Sequence, residues 1–136
     1  MIGQNGNPEI MIGKLRSVVV DCRQPHQLAG FYQAVLGGNL RREDDTWSVL
    51  TDPSGRRLAF QLSPEHEPPT FPDAHGSQQF HLDIQVPDDQ IDEAEREVLS
   101  LGATRVTDAD EDDTFRVFRD PAGHTFCLVW DVDELG

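Results

Sequence analysis

Basic residues are scarce in this chain. Eleven Lys and Arg stand against 25 Asp and Glu, a formal net charge of −14 at pH 7. Such a field repels phosphate backbones and anionic bilayers, and no basic stripe offsets it, so nucleic acid is not an expected partner. No apolar run approaches the roughly 18 residues that span a bilayer, which excludes a membrane partner as well. Cysteine is scarce too: Cys22 and Cys127 are the two present, far apart and in no metal-type spacing. No disulfide framework is expected, and reduced thiols in the cytoplasm are the default. There is no Walker-type or dinucleotide Gly-rich loop and no Gly-x-Ser-x-Gly elbow. The start lacks the basic-then-apolar pattern of a secretion signal.

What is present fits one domain. At 136 residues, folding hides about two-thirds of the unfolded surface without a disulfide or structural metal. Residues 1–12, where Met1-Ile2-Gly3 recurs as Met11-Ile12-Gly13, read as a flexible leader. Lys14–Cys22 is β-branched and predicts a strand. Pro25 suits a first helical turn, and Leu28, Phe31, Tyr32, Val35 and Leu36 follow at helical spacing until Gly37-Gly38 stops them. Strands are expected near Asn39–Glu43, Trp47–Thr51 and Arg57–Leu62. Ser63–Ser77 holds four Pro and one Gly and reads as a linker.

The order then repeats. Gln79–Val86 predicts a strand, Pro87-Asp88 opens a helix with the stripe Ile91, Ala94, Val98 and Leu101, and Gly102 ends it. Strands follow near Thr104–Thr107, Thr114–Arg119 and Thr125–Trp130. Asp52-Pro53-x-Gly55 recurs 68 positions later as Asp120-Pro121-x-Gly123, and Leu36-Gly37 recurs 65 positions later as Leu101-Gly102. Near-constant offsets in one β-α-β-β-β order indicate an internal duplication. The fold class is therefore α+β: two tandem βαβββ modules, residues 13–63 and 78–131, joined by a linker over 64–77 and followed by a tail over 132–136. Each half is too small for a core of its own, so residues 13–131 should form one structural domain.

Three segments carry a family resemblance. Leu28-Ala29-Gly30-Phe31-Tyr32-Gln33-Ala34-Val35-Leu36-Gly37, Phe80-His81-Leu82-Asp83, and Asp120-Pro121-Ala122-Gly123-His124-Thr125-Phe126-Cys127-Leu128 are similar to motifs of the vicinal-oxygen-chelate superfamily. That is the glyoxalase, bleomycin-resistance and extradiol-dioxygenase group, and among its members the chain looks most like the compact glyoxalase-like domain proteins. The resemblance implies eight strands curling around a cleft with two helices outside. It also implies a metal held by donors from strands one, four, five and eight, commonly His and Glu. Carried across, those positions fall on Ser17, on Ala59 or Gln61, on His81 and on Cys127. A catalytic metal needs three or four His, carboxylate or thiolate donors. A His–Cys pair leaves the shell half empty, so no metal cofactor is expected.

Alternation places His81, Asp83 and Gln85 on one face of the fifth strand and Leu82, Ile84 and Val86 on the other. The apolar face should meet the helices, which sends His81 and Asp83 into the cleft. His81 is the candidate general base or polar anchor. Cys127 is a candidate nucleophile if His81 lies beside it, against the plainer reading of a buried inert thiol. Ser17, Val19 and Asp21 share the cleft side of the first strand, and with Trp47, Gln61, Asp83 and Phe115 they make the expected ligand-binding set. The acidic run Asp108–Asp113 reads as a solvated loop, because like charges so close repel.

The expected function is recognition of a small organic molecule in the cleft without the family metal. The resemblance to bleomycin-resistance proteins implies sequestration by apolar and aromatic contact. The alternatives are a lyase, isomerase or dioxygenase using His81 as base or residual ligand, and a non-catalytic interaction domain. The resemblance also implies a homodimer.

Overall fold

The computed structural model describes residues 12–69, 80–107, 109, 111 and 114–131. The first module runs β1 (Val18–Cys22), α1 (Pro25–Leu36), β2 (Asn39–Asp44), β3 (Trp47–Thr51) and β4 (Arg57–Leu62). The second runs β5 (Leu82–Gln85), a 3₁₀ turn (Asp88–Gln90), α2 (Ile91–Ser100), β6 (Thr104–Arg105), β7 (Phe115–Arg119) and β8 (Thr125–Val129). Each module forms one four-stranded sheet, ordered β1-β4-β3-β2 and β5-β8-β7-β6. β1 pairs with β4 in parallel, and β5 with β8 likewise. The α+β two-module reading therefore holds. The leader up to residue 11, residues 70–79 of the linker region and the 132–136 tail lie outside the described residues.

The repetition extends to single atoms. Asp52 Oδ1 accepts the N–H groups of Ser54 and Arg56 at 3.0 and 2.8 Å. Asp120 Oδ1 accepts those of Ala122 and His124 at 2.9 and 3.0 Å. These are the same side chain-to-backbone turn, two and four residues ahead, which is what Asp-Pro-x-Gly favours. Gly38 shows why a glycine pair ends α1. Its φ is 99°, and a Cβ there would overlap the carbonyl of Thr51, so only glycine fits the return into β2.

The modules share one core. Tyr32 of α1 stacks on Phe60 of β4 at 5.8 Å between ring centroids, and Phe31 meets Phe126 of β8 at 5.9 Å. Phe118 stacks on Phe126 at 5.4 Å. The Tyr32 hydroxyl donates to Asp120 Oδ2 at 2.6 Å, so α1 also holds the last hairpin turn of the other module. Phe60, Phe118 and Phe126 are fully buried.

Several boundaries differ from expectation: β5 starts at Leu82, so His81 stands just ahead of it, and β6 stops at Arg105. β1 begins at Val18, because Leu15, 87 % exposed, has no strand to pair with. Leu101, expected on the buried stripe of α2, lies past the helix end at 41 % exposure. Val98 is the one buried residue of that helix, which covers its sheet with a narrow ridge.

Candidate functional site

Pairing register decides which side chains stand together, since neighbours in one cross-strand row point to the same face. In the first sheet Asp21, Gln61 and Trp47 form one row, and Val19, Ala59 and Val49 the next. In the second, Asp83, Cys127 and Val117 form one row, and Gln85, Val129 and Phe115 the next. The alternating residues Val20, Leu50, Phe60, Ile84, Phe118 and Leu128 all belong to the shared core. The expected site residues therefore lie on the helix-free faces, and Ala59 is the counterpart of Cys127. Ser17 is half-buried just ahead of β1.

The second sheet gathers the polar chemistry. His81 Nε2 lies 3.1 Å from Asp83 Oδ1. With Cys127 Sγ they make three donor atoms within 4.8 Å of one another. His81 and Asp83 are exposed, whereas Cys127 is 5 % exposed and packs with Val106 and Val117. Burial, with help from the Asp83 and Glu111 carboxylates, pushes the Cys127 thiol up to about 11. A thiol held protonated offers no thiolate nucleophile at neutral pH. The sequence reading paired His81 with Cys127 and did not count Asp83 as a donor. The alternation that set His81 and Asp83 on one face was the available signal.

Two further residues were missed. Among the described residues, four buried side-chain atoms have no hydrogen-bond partner: His26 Nε2 in α1 and His66 Nε2 beside it, and Arg57 Nε and Thr125 Oγ1 on the sheets. Arg57 shares the face of Ala59 and Gln61, and Thr125 that of Cys127, so each helix-free face carries an unsatisfied polar atom. The acidic run also differs from expectation at Glu111. Its carboxylate takes Arg105 in a bidentate pair at 2.6 and 2.7 Å and accepts the Val117 N–H at 2.7 Å. It is an anchor for β7, and the guanidinium and amide outweigh burial to hold it below the usual carboxylate range. Asp108, Asp110, Asp112 and Asp113 lie outside the described residues. A cavity of about 750 Å³ opens at the start of α1 beside His66 and Pro121, and it shares no residue with the set above.

Burial of the thiols has a pH consequence. Cys22 and Cys127 are both raised from 9.0 to about 11. The unfolded chain loses these protons first, so their contribution is intact below pH 9 and falls as pH rises through 11. Urea midpoints measured across that window should decline more steeply for the wild type than for Cys22→Ser/Cys127→Ser. Equal slopes would show that the thiols are not responsible.

The donors do not fit the metal that the resemblance implies. β1 and β4 present Ser17, Val19, Ala59 and Gln61, none of which is a His or carboxylate, and Asp21 falls in the row beyond. What remains is confined to the second module.

Two βαβββ modules, each with a parallel-paired four-stranded sheet, define a class, the glyoxalase, bleomycin-resistance and dioxygenase fold. A glyoxalase/bleomycin resistance protein/dioxygenase family enzyme from Burkholderia phytofirmans PsJN superposes with a TM-score of 0.67 at 19 % identity, covering 88 % of this chain and 100 % of that one. The fosfomycin resistance protein FosX of Listeria monocytogenes gives 0.68 at 16 % identity, covering 91 % and 95 %. A glyoxalase/dioxygenase from Nostoc punctiforme gives 0.64 at 17 %, covering 95 % and 100 %. At these identities the likeness is one of fold. Comparison with curated proteins yields no match. The glyoxalase-like domain family matches residues 17–129, and the chain belongs to it.

Proposed function

We propose that the protein binds a small organic molecule against its helix-free faces, without the family's four-donor metal centre. The observation that carries this is the pair of buried, unpartnered polar atoms, Arg57 Nε and Thr125 Oγ1, one on each face. A buried donor or acceptor left unpaired costs about 1–3 kcal/mol, which a ligand's own polar groups recover. Trp47, Val19 and Phe115 supply apolar area nearby, and His81, Asp83, Asp21 and Gln61 supply polar anchors, the usual make-up of a small-molecule site. Bleomycin-resistance and fosfomycin-resistance proteins stand among the structural relatives, which supports a foreign compound as the molecule bound, held by sequestration in this reading.

One observation favours a second reading, a lyase, isomerase or dioxygenase with His81 as base. The Asp83 carboxylate 3.1 Å from Nε2 orients the imidazole for such a role. The two readings part on the fate of the ligand, recovered unchanged after incubation in the first and converted in the second.

A panel of small aromatic and antibiotic-like compounds tested by thermal shift decides whether there is binding at all. A ligand at a hundredfold excess over Kd should stabilise the fold by about 2.7 kcal/mol, and Trp47→Ala should weaken binding about tenfold. Failure of every compound, or indifference to Trp47→Ala, would reject this site. We further propose a cytoplasmic homodimer. β1 is a sheet edge whose Val18 and Val19 are 47 % and 45 % exposed, and a second copy would cover them. A single-chain mass by light scattering would reject the dimer.

A further inference from the structure

We propose that the cavity at the start of α1 is a second site, which takes a small zwitterion: a free amino acid with an apolar side chain. It shares no residue with the helix-free faces and does not depend on the reading above.

The cavity measures about 750 Å³, within the roughly 300–1,000 Å³ of small-molecule sites. Two segments far apart in the chain build most of it. The entry to α1 supplies Arg23 and Gln27, and the stretch after β4 supplies His66, Glu67 and Pro68. Several contacts hold that stretch in place. The Ser63 N–H donates to the Cys22 carbonyl at 2.8 Å, and Arg23 Nε donates to the His66 carbonyl at 2.8 Å. The His66 ring lies on that of His124 with centroids 4.8 Å apart. Pro68 fits so closely over Gly123 that a Cβ there would overlap its ring. Glu67 stands between these two pinned residues, so its backbone is fixed before any ligand arrives, and the order a ligand needs is already present.

Charge selects the ligand. Burial, and then the neighbouring His124, hold the His66 ring below its usual 6.5, so it is uncharged at neutral pH. Arg23 and Glu67, both exposed, then give the cavity one cation and one anion. A simple anion would meet Glu67 and the field of a protein carrying a net charge of −14, and a simple cation would meet Arg23. A molecule that carries both charges avoids either repulsion. Arg23 has its Nε committed to the His66 carbonyl, which orients the guanidinium and leaves its terminal amino groups to clasp a carboxylate. Glu67 takes the ammonium, and the Gln27 amide can donate or accept beside them. Pro68, Pro121 and Ala122 give an apolar wall for the ligand's side chain.

Isothermal titration calorimetry of the full-length protein tests this with three probes: L-phenylalanine, N-acetyl-L-phenylalanine, which lacks the ammonium, and L-phenylalaninamide, which lacks the carboxylate. L-phenylalanine should bind saturably at one site per chain, and each blocked analogue at least tenfold more weakly. Arg23→Gln should weaken L-phenylalanine at least tenfold and erase its advantage over the amide. Glu67→Gln should weaken it as much and erase its advantage over the acetylated compound. Arg56→Gln, which removes a cation outside the cavity, should change nothing. All three positions are exposed, where substitution costs little stability, and a ratio between analogues does not move with a general loss of structure. No saturable binding at millimolar L-phenylalanine, a blocked analogue as tight as the parent, or unchanged ratios in Arg23→Gln and Glu67→Gln would overturn the site. Any of these would leave the thermal-shift experiment with Trp47→Ala standing, and the reverse holds too.

Discussion

Phe126→Ala is expected to cost about 4 kcal/mol, the upper part of the range for emptying a buried aromatic position. Phe126 is 0 % exposed and touches three rings, Phe31 and Tyr32 from α1 and Phe118 from β7. Those neighbours belong to separate elements anchored in both sheets, so the site cannot collapse around the cavity. Domains of this size hold about 5–15 kcal/mol in all. A shift of about 3–4 °C per kcal/mol lowers the melting temperature by roughly 12–16 °C, or leaves the variant unfolded at growth temperature. Phe115→Ala, on the half-buried helix-free side, should cost less than half as much. Urea midpoints for the two variants give the comparison, and equal losses would mean that the aromatic cluster does not hold the modules together.

Asp120→Ala should cost nearly as much, about 3–4 kcal/mol, for a polar reason. The carboxylate is 4 % exposed and accepts three hydrogen bonds, from the Tyr32 hydroxyl and from the Ala122 and His124 amides. Alanine leaves all three donors searching for partners, one of them inside the core. Asp52→Ala serves as the internal control. It makes the same turn in the first module but no bond to the other module, so about 1 kcal/mol is expected. The difference between the two isolates the Tyr32–Asp120 link. Tyr32→Phe should reproduce most of that difference, and a near-zero cost for it would assign the effect to the turn alone.

Much of this architecture is legible in the residue order. The stripe Leu28, Phe31, Tyr32 with its Gly37-Gly38 stop gave α1 at its observed bounds, and the recurring Asp-Pro-x-Gly turns revealed the duplication. Strand alternation placed His81 and Asp83 on one face because that period is local, whereas their meeting with Cys127 followed only from the family resemblance. The rest depends on distance along the chain. Tyr32 and Asp120 are 88 residues apart, and nothing local in either marks a hydroxyl meeting a carboxylate. Glu111 looked like one more solvated acid because its partners, Arg105 and the Val117 amide, lie in other elements. Arg57 and Thr125 are ordinary strand residues until the packing takes them out of water. Leu101 was misplaced because spacing continues past the point where the helix ends.

The aromatic pair of α1 serves both sheets, whereas α2 buries a single valine. Duplication has thus left unequal siblings. A polypeptide severed between them would give a leading fragment that keeps its own helical roof. The trailing fragment would expose Phe118 and Phe126 to water, recover structure only when the leading one was added back, and meanwhile clump.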